Sequence, residues 1–131
     1  MAIRIVRLGE PRSKGEGVRL GTVRRPPRGV SKGDFARRDF FDTWLPELAP
    51  SPALVAWAQE SPWTDVRWRE FGRKFRRELA DPSARHLIDA LAALSHQTNF
   101  AVGCYCEDST RCHRAVLREL LVEAGAGVAP P

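Results

Sequence analysis

Residues 99–106 read NFAVGCYC, a short run of apolar and β-forming residues that indicates a strand buried on both faces. Strands of that kind belong to parallel sheets, which are covered by helices on each side. The following segment, HRAVLRELLVEAG, has an apolar stripe at helical spacing and a glycine where the helix would stop: Val116, Leu117, Leu120, Leu121 and Gly125. A buried strand, a tight turn and an amphipathic helix predict an α/β fold.

Start signals for three further helices precede this strand. Ser51 and Asp81 are capping residues that stand directly before a proline, the residue favoured at the first helical position. Thr64 can cap a longer helix, in which aromatic residues recur at helical spacing. Alternating apolar residues predict two strands nearer the N-terminus, over residues 3–8 and 18–25.

These elements fit one small domain. A chain of 131 residues buries enough surface for a single core. We therefore predict one Rossmann-like α/β domain over residues 1–131, with a short, mostly parallel sheet flanked by helices. Residues 125–131, GAGVAPP, are expected to be a frayed tail.

Positive charge is concentrated in the first third of the chain. Residues 1–38 hold eleven Lys and Arg against three Asp and Glu, whereas residues 39–131 hold ten against thirteen. A basic field raises the local concentration of anions. It favours phosphates, nucleotides or nucleic acid as partners, and a solvated arginine-rich surface is the alternative.

The sequence shows no apolar run of signal-peptide length and no stretch of about 20 apolar residues that would span a membrane. We expect a cytoplasmic protein without a membrane partner, in which thiols stay reduced. The odd number of cysteines, three, also argues against a closed disulfide framework.

All three cysteines lie with one histidine in residues 104–114, CYCEDSTRCHR. Four possible zinc ligands result: Cys104, Cys106, Cys112 and His113. Structural zinc sites usually draw on two closely spaced pairs separated by a longer segment, whereas here two of the four residues are sequence neighbours. We therefore predict no metal or other cofactor, and zinc at these residues is kept as an alternative.

The position of the CHR triplet favours thiol or anion chemistry instead. The partial positive charge at a helix N-terminus favours the thiolate of Cys112 and attracts phosphate. His113 is a candidate general acid or base near neutral pH, and Arg114 a candidate anion ligand. Cys112 and His113 are thus the candidate catalytic residues, although burial of Cys112 in the core explains it equally well. The sequence leaves open whether the protein is an enzyme.

Several stretches resemble one family in their order and spacing. They are PRGVSK at residues 27–32, WLPELAPS at residues 44–51, the W..F...F...L pattern of residues 68–79, and CYCEDSTRCHRAVL from Cys104 onward. Over about residues 18–122 the chain is similar to the YeaO-like branch of bacterial proteins classed as domain of unknown function 488.

The resemblance implies a compact α/β domain with two signatures. The first is a cysteine-histidine-arginine triplet, matched by Cys112, His113 and Arg114. The second is a basic N-terminal motif, matched by Arg24, Pro27, Arg28 and Gly29. The family motif usually reads RLWPRG, whereas this chain has RRPPRG, so no tryptophan is available to stack on a ligand there.

Two functional hypotheses follow. In the first, Arg24 and Arg28 converge on the helix N-terminus at residues 112–114 and form a positive pocket for a phosphate-bearing small molecule or nucleotide. In the second, the protein is a nucleic-acid-binding module that uses residues 4–38 and the basic face of the helix around residues 67–77.

Overall fold

The computed structural model describes residues 2–106 and 108–130, apart from the side chain of Ser109. Its described residues form one four-stranded sheet in the order β1-β4-β2-β3, with β1 at Ile3–Arg7, β2 at Val18–Gly21, β3 at Thr43–Trp44 and β4 at Phe100–Cys104. Every strand pairing is parallel. All five residues of β4 are buried, as predicted for a central strand of a parallel sheet.

Four α-helices accompany this sheet: α1 at Pro52–Gln59, α2 at Asp65–Leu79, α3 at Pro82–Leu94 and α4 at His113–Glu123. The three predicted caps are confirmed. Ser51 accepts a hydrogen bond from the backbone of α1, Thr64 from that of α2 and Asp81 from that of α3. None of the described helices combines the length and apolarity needed to cross a membrane.

The main core lies between the helices and one region of the sheet. Phe71 and Phe75 of α2 and Leu117 of α4 pack with Val102 of β4. A smaller apolar cluster surrounds the end of β4 and contains Leu8, Val23, Phe41, Cys104 and Cys112. The α/β architecture and the single domain predicted from the sequence are confirmed.

Strand β2 is shorter than predicted because the regular pairing with β4 ends at Thr22. The strand stops at Gly21, and both the backbone N–H and the hydroxyl of Thr22 donate to the carbonyl of Gly103, at 3.1 and 3.0 Å. Gly103 itself has no room for a side chain, since a Cβ atom there would lie 2.5 Å from the carbonyl oxygen of Val6. Strands β1, β4 and β2 therefore approach closely at the end of the sheet that carries the cysteines.

The described part of the predicted frayed tail is ordered against the sheet. Gly125 adopts a φ of 91° just after α4 and turns the chain back toward β1. The N–H of Ile3 then donates to the carbonyl of Gly127, and the N–H of Ala129 donates to the carbonyl of Ile3, both at 2.8 Å. Hydrogen bonds to a distant strand hold this segment, which local composition does not reveal.

Candidate functional site

The end of β4 and the start of α4 bring four chemically reactive side chains to one point. The sulfur atoms of Cys104, Cys106 and Cys112 and a ring nitrogen of His113 all lie within 4.8 Å of one another. We call these four residues the Cys–His cluster. Three thiols and an imidazole this close together are a ligand set that can hold a metal ion.

Backbone geometry explains how sequence neighbours reach the same point. Cys112 is the N-cap of α4 and has extended dihedrals, φ −132° and ψ 153°, whereas His113 is already helical. The chain changes direction between them, so both side chains face the cluster. The spacing argument used against a shared site in the sequence therefore does not hold for this turn.

The three sulfurs differ in exposure. Cys104 and Cys112 are buried, with their Sγ atoms 2.7 Å apart, and all three thiols are free. Cys106 is exposed because β4 ends two residues before it. The sequence placed Cys106 with Cys104 at the buried end of a strand, which is correct for Cys104 only.

Hydrogen bonds between the thiols decide where a negative charge resides. Hydrogen bonds from Cys104 and Cys112 lower the pKa of Cys106 to about 3, and the positive charge of Arg114 acts in the same direction. Donation to Cys106 raises the pKa of Cys104 to about 11, and the pKa of Cys112 is raised by its neighbouring thiols and by burial. These pKa shifts favour the thiolate at Cys106, and the reactivity of Cys112 expected from the sequence stays a prediction.

His113 is held in a single tautomer. Its Nε2 lies 2.6 Å from the carbonyl oxygen of Thr22, and a carbonyl can only accept, so Nε2 carries the hydrogen. The unprotonated Nδ1 faces the cluster, 3.8 Å from the sulfur of Cys112. Burial lowers the pKa of His113, and the ring is therefore neutral near pH 7.

A cavity of about 840 Å³ opens in front of the cluster. It is lined by Arg24, Arg25 and Arg28 on one side, by Pro52, Val55, Ala56 and Gln59 of α1, and by Phe40, Cys104, Tyr105, Cys106 and His113, among others. We call it the arginine-lined cavity. It brings together two of the predicted anion ligands, Arg24 and Arg28, with the candidate catalytic residue His113.

Comparison with known proteins identifies a family for this chain. The family model described as DUF488-N3a, the active DUF488-N3 subclade, matches residues 3–125. The chain belongs to the DUF488-N3a family. The resemblance to domain of unknown function 488 is thereby confirmed, and it begins nearer the N-terminus than the predicted residue 18. Neither the curated proteins nor the solved structures contain a match.

Within the DUF488-N3a signature, Arg114 has a different position from the one predicted. It is only 5% exposed, and its Nη2 donates to the carbonyl of Cys106 at 2.9 Å. Its Nε is buried and has no hydrogen-bond partner among the residues that the structure describes. Arg114 lines a second cavity of about 580 Å³ and does not line the arginine-lined cavity. Its role as an anion ligand stays a prediction.

The arginines of the basic signature also differ from each other. The guanidinium of Arg24 donates to the carbonyls of Pro46, Ala49 and Pro50, at 2.9 to 3.2 Å, and so fixes the segment before α1. Arg28 is exposed, and within the described part of the DUF488-N3a chain it makes no ion pair or hydrogen bond. The Arg28 guanidinium is therefore available to a ligand in this cavity.

Sequence reasoning missed Arg25 and Tyr105, which also line the cavity. Arg25 is exposed beside Arg28, and its carbonyl accepts a hydrogen bond from the hydroxyl of Tyr105 at 3.0 Å. Arg25 lies between Arg24 and Arg28 in the basic motif, so the sequence could have predicted that it lines the same cavity. Tyr105 gave none, because the direction of its ring depends on where β4 ends.

Part of the N-terminal positive charge is neutralised within the protein. Arg19 is buried and paired with Glu16, and Arg12 is paired with Asp39 and Asp42. The DUF488-N3a chain therefore presents a weaker basic field from residues 4–38 than the residue count predicts. Three arginines of α2 at four-residue intervals are exposed instead: Arg69, Arg73 and Arg77.

Proposed function

We propose that the arginine-lined cavity binds a phosphate-bearing small molecule or nucleotide. The observation that carries this proposal is the meeting of Arg28 and the Cys–His cluster around one cavity at the carboxyl end of β4. In open parallel sheets, ligands bind in the crevice outside the carboxyl ends of the strands. The volume of about 840 Å³ lies within the range of small-molecule sites.

The charge of the lining supports an anionic ligand. Three arginines line the cavity, and no carboxylate does so among residues 2–106 and 108–130. The second cavity offers a contrast, because Glu10, Glu16 and Glu119 line it together with its arginines. A phosphate group therefore meets an uncompensated positive charge only in the first of these two cavities.

The remaining lining supports an organic body on that phosphate. Phe40, Tyr105, Val55 and the prolines give the cavity an apolar wall, which suits the ring of a nucleoside or another flat organic group. Cys106 and His113 also line the cavity, so both groups are accessible to a molecule bound there. In the metal-free protein, thiol or imidazole chemistry would use this pair, with Cys106 in the role predicted for Cys112.

A matched pair of arginine variants tests this proposal. Thermal-shift and calorimetric titrations with a nucleotide, its nucleoside and inorganic phosphate are compared for Arg28→Ala and Arg69→Ala. Arg69 is also exposed but does not line the cavity. Loss of a charged hydrogen bond is expected to weaken nucleotide binding by about tenfold to a hundredfold in Arg28→Ala only.

The nucleoside is expected to bind more weakly than the nucleotide, because it lacks the charge that Arg28 recognises. Equal losses in the two arginine variants would contradict the proposal, as would the absence of any phosphate-bearing ligand in a broad screen. Arg24 is not replaced in this test. Its three hydrogen bonds to backbone carbonyls hold the segment before α1, so a change in binding after its removal could reflect a structural change.

A second candidate function is nucleic-acid binding. It is favoured by the stripe of Arg69, Arg73 and Arg77, whose side chains are exposed along α2 and form no ion pair within the described residues. Phosphate contacts of this kind weaken steeply as salt rises. Filter binding of single- and double-stranded oligonucleotides at two salt concentrations, with the triple Gln variant as the control, would reveal it. No retention at low salt would remove this candidate.

A further inference from the structure

We propose that the Cys–His cluster binds one zinc ion through the sulfurs of Cys104, Cys106 and Cys112 and the Nδ1 atom of His113. This inference goes beyond ligand binding in the arginine-lined cavity and does not depend on it. It rests on four independent features of the described residues: the donor set, the separation of the donor atoms, the outer contact of His113 and the burial of Arg114.

The donor set and its size match zinc. Three cysteines and one histidine form one of the usual sets for a four-coordinate zinc site. With Zn–S bonds of about 2.3 Å, two tetrahedral sulfur ligands lie about 3.8 Å apart. All four donor atoms already lie within 4.8 Å of one another. Binding requires that the 2.7 Å separation between Cys104 and Cys112 widen by about 1 Å and that the longest separations, which reach 4.8 Å, shorten by about as much.

The outer contact of His113 is the one that metal-binding histidines make. A ligating histidine almost always donates its other ring N–H to a carbonyl or carboxylate, which fixes the ring and leaves one nitrogen bare. Here the donated N–H goes to the carbonyl of Thr22, at 2.6 Å. Thr22 is itself anchored to Gly103 of the central strand. The sheet therefore directs the bare Nδ1 toward the three sulfurs.

The burial of Arg114 is explained by the charge of such a site. Three thiolates and a neutral imidazole around a divalent ion leave one net negative charge. Arg114 supplies one positive charge beside it, since its Nη2 donates to the carbonyl of Cys106. Glu10, Glu16 and Glu119 line the same cavity as Arg114, but no described carboxylate forms an ion pair with it, and a buried, unpaired charge is costly. A metal–thiolate centre beside Arg114 would supply the counter-charge.

The exposure of the ligands sets the route for the ion. Cys104 and Cys112 are buried, whereas Cys106 is exposed and, with His113, faces the arginine-lined cavity. Zinc would therefore enter and leave through that cavity. Competition with a chelator in solution is expected to depend on Cys106 more than on the two buried cysteines.

The full-length chain, purified under reducing conditions and stripped of metal, is titrated with zinc or cobalt(II) salts alone. We expect one equivalent of zinc and, with cobalt, the visible absorption of a tetrahedral site together with thiolate charge-transfer bands. Cys106→Ser is expected to weaken binding at least about a hundredfold while the chain stays folded, because this side chain is exposed. His86→Gln, which changes an exposed histidine outside the cluster, is the matched control and should bind as the parent does.

Arg114 gives a second, independent readout. Loss of its charge in Arg114→Met is expected to weaken zinc about tenfold to a hundredfold, with partial recovery in Arg114→Lys. Less than a tenth of an equivalent of zinc in the reduced chain would overturn the proposal, as would cobalt spectra without sulfur ligation. Nucleotide titrations of the stripped and the zinc-loaded chain keep the two proposals separate, because nucleotide binding without metal would leave the proposed function standing alone.

Discussion

Replacing Arg19 by methionine tests the buried ion pair that anchors the start of β2. The Arg19 side chain is 1% exposed, and its Nε and Nη2 donate to the carboxylate of Glu16, at 2.8 and 3.0 Å. Its Nη1 donates to the carbonyls of Glu10 and Asp39, both at 2.7 Å. Methionine keeps much of the apolar stem but removes all four hydrogen bonds and leaves the Glu16 carboxylate buried.

The expected loss follows from that unpaired charge. Removing one partner of a buried ion pair typically costs about 3–5 kcal/mol, because the remaining ion has lost both water and its counter-charge. Native domains are stable by only about 5–15 kcal/mol, so Arg19→Met should be severely destabilised. The double variant Glu16→Gln/Arg19→Met buries no net charge, and it should be destabilised by less than the sum of the two single changes.

The stabilisation by the Glu16–Arg19 pair should depend on pH. Burial raises the pKa of Glu16, but hydrogen bonds from Arg19 and from the backbone of Ser13 outweigh it and hold the pKa below its usual range. The pair therefore stabilises the protein above the ordinary carboxyl pKa and loses that effect as the pH falls through the lowered value. Without Arg19, burial dominates and raises the pKa of Glu16. The difference in stability between the two proteins should then shrink on acidification.

Urea unfolding followed by tryptophan fluorescence, at pH 7 and at pH 5, measures these free energies of unfolding. A loss below about 1 kcal/mol for Arg19→Met at pH 7 would refute the reasoning, since that is the scale of an exposed ion pair. Strictly additive single and double variants would refute it as well.

Two further stability predictions concern backbone positions. Gly103→Ala should lower the free energy of unfolding by about 1–3 kcal/mol or more, because the added Cβ would lie 2.5 Å from the Val6 carbonyl oxygen. Gly33→Ala is the control, since there is open space around that glycine, and it should change the stability by less than about 1 kcal/mol. Thermal unfolding measures both variants. Ser51→Ala should lower the free energy of unfolding by about 0.5–2 kcal/mol, because the hydroxyl caps α1 and also donates a hydrogen bond to Glu78. An unchanged midpoint of thermal unfolding, followed by circular dichroism, would contradict this.

Local signals made much of the fold predictable. Capping residues act on N–H groups two or three positions away, so Ser51, Thr64 and Asp81 could be identified from the sequence. The apolar run of β4 was equally informative, because a strand buried on both faces leaves no alternation of polar residues.

Interactions between distant residues account for what was missed. The three-residue separation of Glu16 and Arg19 looks the same whether the pair is exposed or buried. The two-residue strand β3 is defined only by its pairing with β2. The meeting of Cys112 and His113 with Cys104 depends on a change of chain direction at the start of α4, which no residue spacing encodes. The same change of direction places Arg114 against the carbonyl of Cys106 and on the second cavity.

The pairing of residues 127–129 with Ile3 has a consequence for self-association. An open sheet edge presents free N–H and C=O groups on which the strand of another molecule can dock and start aggregation. At one edge of this sheet the returning segment occupies the groups of Ile3, and at the other edge β3 is only two residues long. Both edges in the described part of the chain are therefore blunted, so a neighbouring copy has little backbone on which to add a strand.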